Sequence, residues 1–134
     1  MAAPLAALCV VDVSQRCAGK TGLRGELCES FWKFEAAKCP DAARVVHQRC
    51  VASVQRLEKS DDVCKWGEKV LAPGVEKIAE YVKDPGLKAQ FEQEWPGLCS
   101  SMQTSFAQNV GDGEKICTEI ENAIVKLVSK KSYA

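Results

Sequence analysis

Eight cysteines and one histidine are the residues of this 134-residue chain best suited to bonding, ligating or attacking. The cysteines are Cys9, Cys17, Cys28, Cys39, Cys50, Cys64, Cys99 and Cys117. Such a set could form disulfides, hold a metal or supply a nucleophile. Zinc sites draw on close pairs such as C-x2-C, whereas the nearest cysteines here, Cys9 and Cys17, stand eight residues apart. A metal site would need ligands converging from distant segments, so none is expected. The missing C-x-x-C also argues against a thiol–disulfide oxidoreductase. His47 has no second histidine to work with, and no G-x-S-x-G context surrounds any serine. It reads as a structural histidine. Gly19-Lys20-Thr21 resembles the end of a phosphate-binding loop, but Ser14 stands where that motif needs glycine and no strand precedes it. The chain is therefore read as a non-enzyme without a cofactor.

Disulfide bonding is the chemistry that remains. An even number of cysteines in a small chain reads as a disulfide framework in an oxidising compartment. The bland alternative is a set of small core thiols in a reducing cytosol.

The bulk properties exclude several partners. There are 18 basic and 18 acidic residues. Ten basic and eight acidic residues precede Gly67, and eight and ten follow it, so neither half is polarised. Nucleic-acid binding wants a basic face or stripe and is not expected. No stretch approaches the roughly 20 apolar residues of a membrane span, so membrane association would be peripheral. The segment Met1–Val11 is mildly apolar, lacks a basic start and is closed by Asp12, which makes a poor secretory signal. An oxidised protein with its start methionine and no signal is expected in the mitochondrial intermembrane space, with secretion as the alternative.

The elements that must position the cysteines are helices, because no alternating β-branched run occurs. Leu23, Leu27, Phe31 and Phe34 recur at three- and four-residue steps and predict a helix from about Gly22 to Lys38. Cys39-Pro40-Asp41 predicts a turn into a second helix, about Asp41 to Glu58, since proline disfavours helical geometry before it. Ser60-Asp61-Asp62 caps a third helix that Pro73-Gly74 should break or kink. Asp84-Pro85-Gly86 opens a fourth, Pro96-Gly97 turns the chain again, and Gly111-Asp112-Gly113 is a loop. The last helix, about Glu114 to Lys130, carries Ile116, Ile120, Ala123, Ile124 and Leu127, with Lys126, Lys130 and Lys131 at its basic end. The expected fold is all-α, an antiparallel array of five to seven helices in a single domain. Residues 1–20 would be an N-terminal segment, 21–64 a cysteine-bridged hairpin and 65–134 the C-terminal helices. Most aromatic residues are expected in the core.

Cys17, Cys28, Cys39 and Cys50 lie eleven residues apart, close to three helical turns. Cysteines so spaced on one helix share a face but cannot bond each other, because a disulfide needs Cα atoms about 4.4–6.8 Å apart. With the turn at Cys39-Pro40, the spacing predicts Cys28–Cys50 and Cys17–Cys64. The competing pairing nests Cys28–Cys39 inside Cys17–Cys50. Cys99 and Cys117 flank the Gly111 loop and could pair, and Cys9 has no obvious partner.

The run RCAGKTGLRGELCESFWKFEAAKCPDAARVVHQRC resembles the coiled-coil-helix–coiled-coil-helix (twin C-x9-C) proteins of the mitochondrial intermembrane space. Its spacers are ten residues rather than nine, and the resemblance covers Cys17 to Cys64. It implies a non-catalytic accessory subunit of a respiratory-chain complex at the periphery of the inner membrane, with other protein subunits as partners. It also implies oxidation through a relay that reads apolar neighbours one turn from a cysteine, such as Phe31 and Trp32 near Cys28, or Val46 and Val54 near Cys50. Phe31, Trp32 and Phe34 are close enough in sequence to point to more than one face, so Phe31 and Trp32 are the candidate partner-binding residues. The alternative function is a disulfide-stabilised helical protein enclosing an apolar small ligand.

Overall fold

A computed structural model describes residues 3–10 and 13–131, without the side chains of residues 129–131. The expectations placed on Met1, Val11, Asp12 and the side chains of Lys130 and Lys131 fall outside this description. The fold is all-α. Five helices follow in order: α1 (Val13–Arg16), α2 (Gly22–Val54), α3 (Val63–Val82), α4 (Pro85–Gln108) and α5 (Gly113–Lys131). Short 3-10 turns at Pro4–Leu8 and Ser60–Asp62 precede α1 and α3.

The predicted hairpin turn at Cys39-Pro40 is not there. The helix α2 runs 33 residues straight through Pro40, and Pro73 and Pro96 likewise lie inside α3 and α4. All three prolines are solvent-exposed. Each removes one backbone donor, but on the outer side of a helix water can satisfy the freed carbonyl. Helices also curve convex toward solvent, which eases the ring's clash. Burial then decides the outcome. Cys39, Ala43, Val46, Cys50 and Val54 form a buried stripe that crosses the proline without a break. Two start signals do act as read: Pro85 sits in the first turn of α4, and the Asp84 side chain accepts a hydrogen bond from the Gly86 N–H at 3.0 Å.

The helices α2 to α5 pack in sequence, α5 returns against α2, and the N-terminal 3-10 turn inserts Leu5 and Leu8 between α2 and α5. Apart from Cys17, the buried apolar residues described form one core cluster. The antiparallel register of α2 and α3 is fixed where Val46 lies over Gly74 and where the Trp66 indole N–H donates to Ser53 Oγ at 2.7 Å. Extending that register puts Val82, the end of α3, level with about residue 37 of α2. About 15 residues of α2, roughly 23 Å at 1.5 Å per residue, overhang the bundle, and none of residues 22–38 is buried.

The eight cysteines form four disulfides, with pairings other than those the spacing predicts. Cys9 bonds Cys39, Cys17 bonds Cys28, Cys50 bonds Cys117 and Cys64 bonds Cys99. Cys28 and Cys50 are 22 residues apart on one continuous helix, about 33 Å, so their predicted bridge is impossible. The bridge Cys17–Cys64 and the alternative nesting fail because α2 does not turn, and Cys99–Cys117 fails, although its loop is present, because Cys99 bonds Cys64 and Cys117 bonds Cys50. The three-turn ladder itself holds: Cys28, Cys39 and Cys50 share one helix, and each bonds a different segment. Gly19 and Gly22, at φ of +79° and +61°, make the left-handed turn that brings α1 back beside α2. That turn sets the Cα atoms of Cys17 and Cys28 5.9 Å apart.

The α2–α3 contact yields a paired prediction. A Cβ at Gly74 would stand 2.6 and 2.8 Å from the two methyl groups of Val46, while one at Gly97 meets nothing within 4 Å. Gly74→Ala should destabilise the protein by about 1–3 kcal/mol through overpacking. Gly97→Ala, inside α4, should stabilise it by about 0.5–1 kcal/mol. Urea denaturation of the two variants checks both signs.

Candidate functional site

The helix α2 presents two features. The first is on its overhang. Leu23, Leu27, Phe31 and Phe34, spaced by four, four and three residues, are 70%, 61%, 50% and 62% exposed. Residues so spaced share one helix face. The sequence periodicity predicts a helix and names Phe31 as a partner-binding candidate; the whole row is an apolar strip facing solvent. Phe31 belongs to the strip. Trp32, its predicted companion, points another way and is half-buried. The Arg16 guanidinium lies 5.1 Å from the Trp32 ring centroid and donates to the carbonyls of Val82 and Lys83 at 2.9 and 2.8 Å. A cation there suits the negative end of α3. Trp32 therefore braces α1 and the overhang against α3 and does not form part of the strip. Trp66, Phe91 and Phe106 are buried, as expected.

The strip continues down α2 into a cleft of about 740 Å³ between α2 and α3. Val45, Val46, Val70, Pro73 and Tyr81 line its apolar part, and Val45 is 43% exposed there. Lys38, Arg49, Arg56, Lys69 and Lys77 also line it. The acidic residue of the lining, Asp41, is paired with Arg44. Sequence reasoning missed this basic collar because the whole chain is neutral. The cations come from two helices that only the fold brings together.

The second feature is buried where α2 meets α5. Glu121 is fully buried, and its Oε2 lies 2.5 Å from His47 Nδ1. His47 Nε2 lies 2.8 Å from Glu114 Oε1. Glu121 Oε1 has no hydrogen-bond partner in the protein. Burial raises the Glu121 pKa to about 7. Burial alone would lower that of His47, but its hydrogen bonds to Glu121 and Glu114 outweigh this and leave it raised. His47 is partly buried, one of the two placements expected from sequence. Glu121 was not foreseen, although its position four residues after Cys117 puts it on the cysteine's face of α5.

Among the described residues, no helix is long and apolar enough to cross a membrane. No model of a known protein family, no curated protein and no solved structure matches the chain.

The buried pair makes stability depend on pH. Glu121 and His47 both bind protons more tightly folded than unfolded, so each contribution is full at low pH and lost as pH rises. For Glu121 the loss runs from the ordinary 4.5 up to about 7. Relative to Glu121→Gln, the wild type should lose about 2 kcal/mol of unfolding free energy between pH 5 and pH 8. Parallel denaturation curves at the two pH values measure this, and a difference between the proteins that does not change with pH would refute it.

Proposed function

We propose that this chain is a non-catalytic docking subunit that receives an amphipathic, acid-flanked helix of a partner protein along the outer face of α2. The observation that carries this reading is the exposed strip Leu23, Leu27, Phe31 and Phe34 on a helix that outruns its bundle. Contiguous exposed apolar surface marks interaction sites, and helix-in-groove binding reads anchors at such steps. The basic collar of the adjoining cleft calls for negative charge on the partner. The open, cation-lined cleft suits a charged helix better than the enclosed apolar ligand of the alternative reading.

The partner is assigned to a respiratory-chain complex, on the intermembrane-space side of the inner mitochondrial membrane. Support comes from the pairing of all eight cysteines, which needs an oxidising compartment, and from the resemblance of the Cys17–Cys64 segment. The bridges do not follow the hairpin pairing that the resemblance implies, so its weight falls on compartment rather than fold.

The test is a Leu27→Ser/Phe31→Ser double variant. Both side chains are exposed, so stability should stay within about 0.5 kcal/mol of wild type. Docked anchors contribute about 2 kcal/mol or more each. Wild-type chain should therefore migrate with a respiratory complex on native gels of mitochondrial membranes, and the variant should lose at least about tenfold of that association. Undiminished association of the variant, or a wild-type chain that migrates alone, would overturn the proposal.

A further inference from the structure

The α2–α5 junction holds more than a staple. The Cys50 and Cys117 sulfurs and a carboxylate oxygen of Glu121 all lie within 4.8 Å of one another, and all three residues are fully buried. Cys117 and Glu121 are one turn apart on α5. Cys50 is one turn from His47 on α2. The ligand-bearing faces of two packed helices therefore converge on one point. Glu121 adds an independent sign, because its Oε1 is buried, polar and without a protein partner. A buried polar atom left unpaired is costly, and the disulfide beside it can donate no hydrogen bond to relieve it.

We infer that the Cys50–Cys117 junction is a two-state site: a disulfide when oxidised, and in its dithiol form a site for a thiophilic divalent cation, Zn²⁺ foremost. Two thiolate sulfurs and one carboxylate oxygen are zinc ligands, and a site with three protein ligands completes its tetrahedron with water. The outer contacts fit as well. Protein metal sites fix their ligands through a second ring of hydrogen bonds. Here His47 holds Glu121 through Nδ1 and is itself held by Glu114 through Nε2, at 2.5 and 2.8 Å. The His47 and Glu114 side chains are 14% and 50% exposed, so this outer ring reaches solvent.

The conversion balances. A dithiol reductant gives two electrons and two protons to the Cys50–Cys117 bond and is oxidised to its own disulfide. The S–S bond breaks and two thiols form. Zn²⁺ then displaces one proton from each thiol and binds both thiolates, the Glu121 carboxylate and one water. In the reverse direction a disulfide oxidant takes two electrons from the thiolate pair and two protons from solvent and is reduced to its own dithiol, which reforms the Cys50–Cys117 bond and releases the ion. At a Zn–S distance of about 2.3 Å, the two sulfurs must move apart from bonding distance. Their Cα atoms stand 6.0 Å apart across the present bond, and side-chain rotation with a small helix shift supplies the rest. The site spans the widest sequence separation of the four bridges, 67 residues. A bound ion would thus hold α5 on α2 in a chain whose sulfurs are not yet oxidised.

The experiment uses the full chain, reduced with a dithiol and freed of it by anaerobic gel filtration. One equivalent of Zn²⁺ is added, N-ethylmaleimide is applied, and the modified cysteines are mapped by mass spectrometry. Cys50 and Cys117 should be protected at least about tenfold over the other six. Co²⁺ as a probe should give a thiolate charge-transfer band that saturates at one equivalent. Glu121→Gln, which keeps both thiols, should weaken Co²⁺ binding at least about tenfold. Oxidised protein should bind neither ion. Protection spread evenly over all eight cysteines, as an unfolded chelating chain would give, overturns the inference. So does protection of a different pair, or Co²⁺ affinity unchanged in Glu121→Gln.

Discussion

The structure depends on the continuity of α2. One helix of 33 residues carries three of the eight cysteines, and through them holds the N-terminal turn by Cys9–Cys39, α1 by Cys17–Cys28 and α5 by Cys50–Cys117. The fourth bond, Cys64–Cys99, locks α3 to α4. On the chain-entropy account, closing a 67-residue separation stabilises by about 4 kcal/mol and an 11-residue one by about 3 kcal/mol. These bonds fix α2 as a spine, and a spine longer than its bundle must expose one end.

The length of this helix explains why both candidate features lie on it. Its inner face supplies Cys39, Val46, Cys50 and Val54 to the core and His47 to the Glu121 and Glu114 carboxylates of α5. Its outer face is left with Leu23, Leu27, Phe31 and Phe34. Arg16, set between Trp32 and the carbonyls of Val82 and Lys83, ties the overhang to the end of α3. A rigid apolar face loses little entropy on docking, which favours affinity.

Much of the architecture was legible in the sequence. The all-α class, the capped start of α4 and the span of α5 followed from local signals. Those signals act through neighbours in the chain and survive folding. The hairpin did not survive, because Pro40 was weighed without its surroundings. Its local cost, of order 3 kcal/mol in a helix interior, is opposed by burial of Cys39, Ala43 and Val46 at about 25 cal/mol per Å² of apolar area, and the exposed ring lowers that cost further. The pairings Cys28–Cys50 and Cys17–Cys64 fell with the hairpin, since they depend on where the chain turns. The Leu23–Phe34 periodicity was read correctly as one helix face, but periodicity cannot say what that face meets. Glu121 and the basic collar arise only when two helices are brought together, and a neutral composition hides both.

The most direct test of the spine is its cross-links. Digestion of the oxidised protein without reduction, followed by mass spectrometry of the linked peptides, should find Cys9 with Cys39, Cys17 with Cys28, Cys50 with Cys117 and Cys64 with Cys99. A peptide linking Cys28 to Cys50, or Cys17 to Cys64, would mean that the chain turns at Pro40 and that no continuous α2 exists.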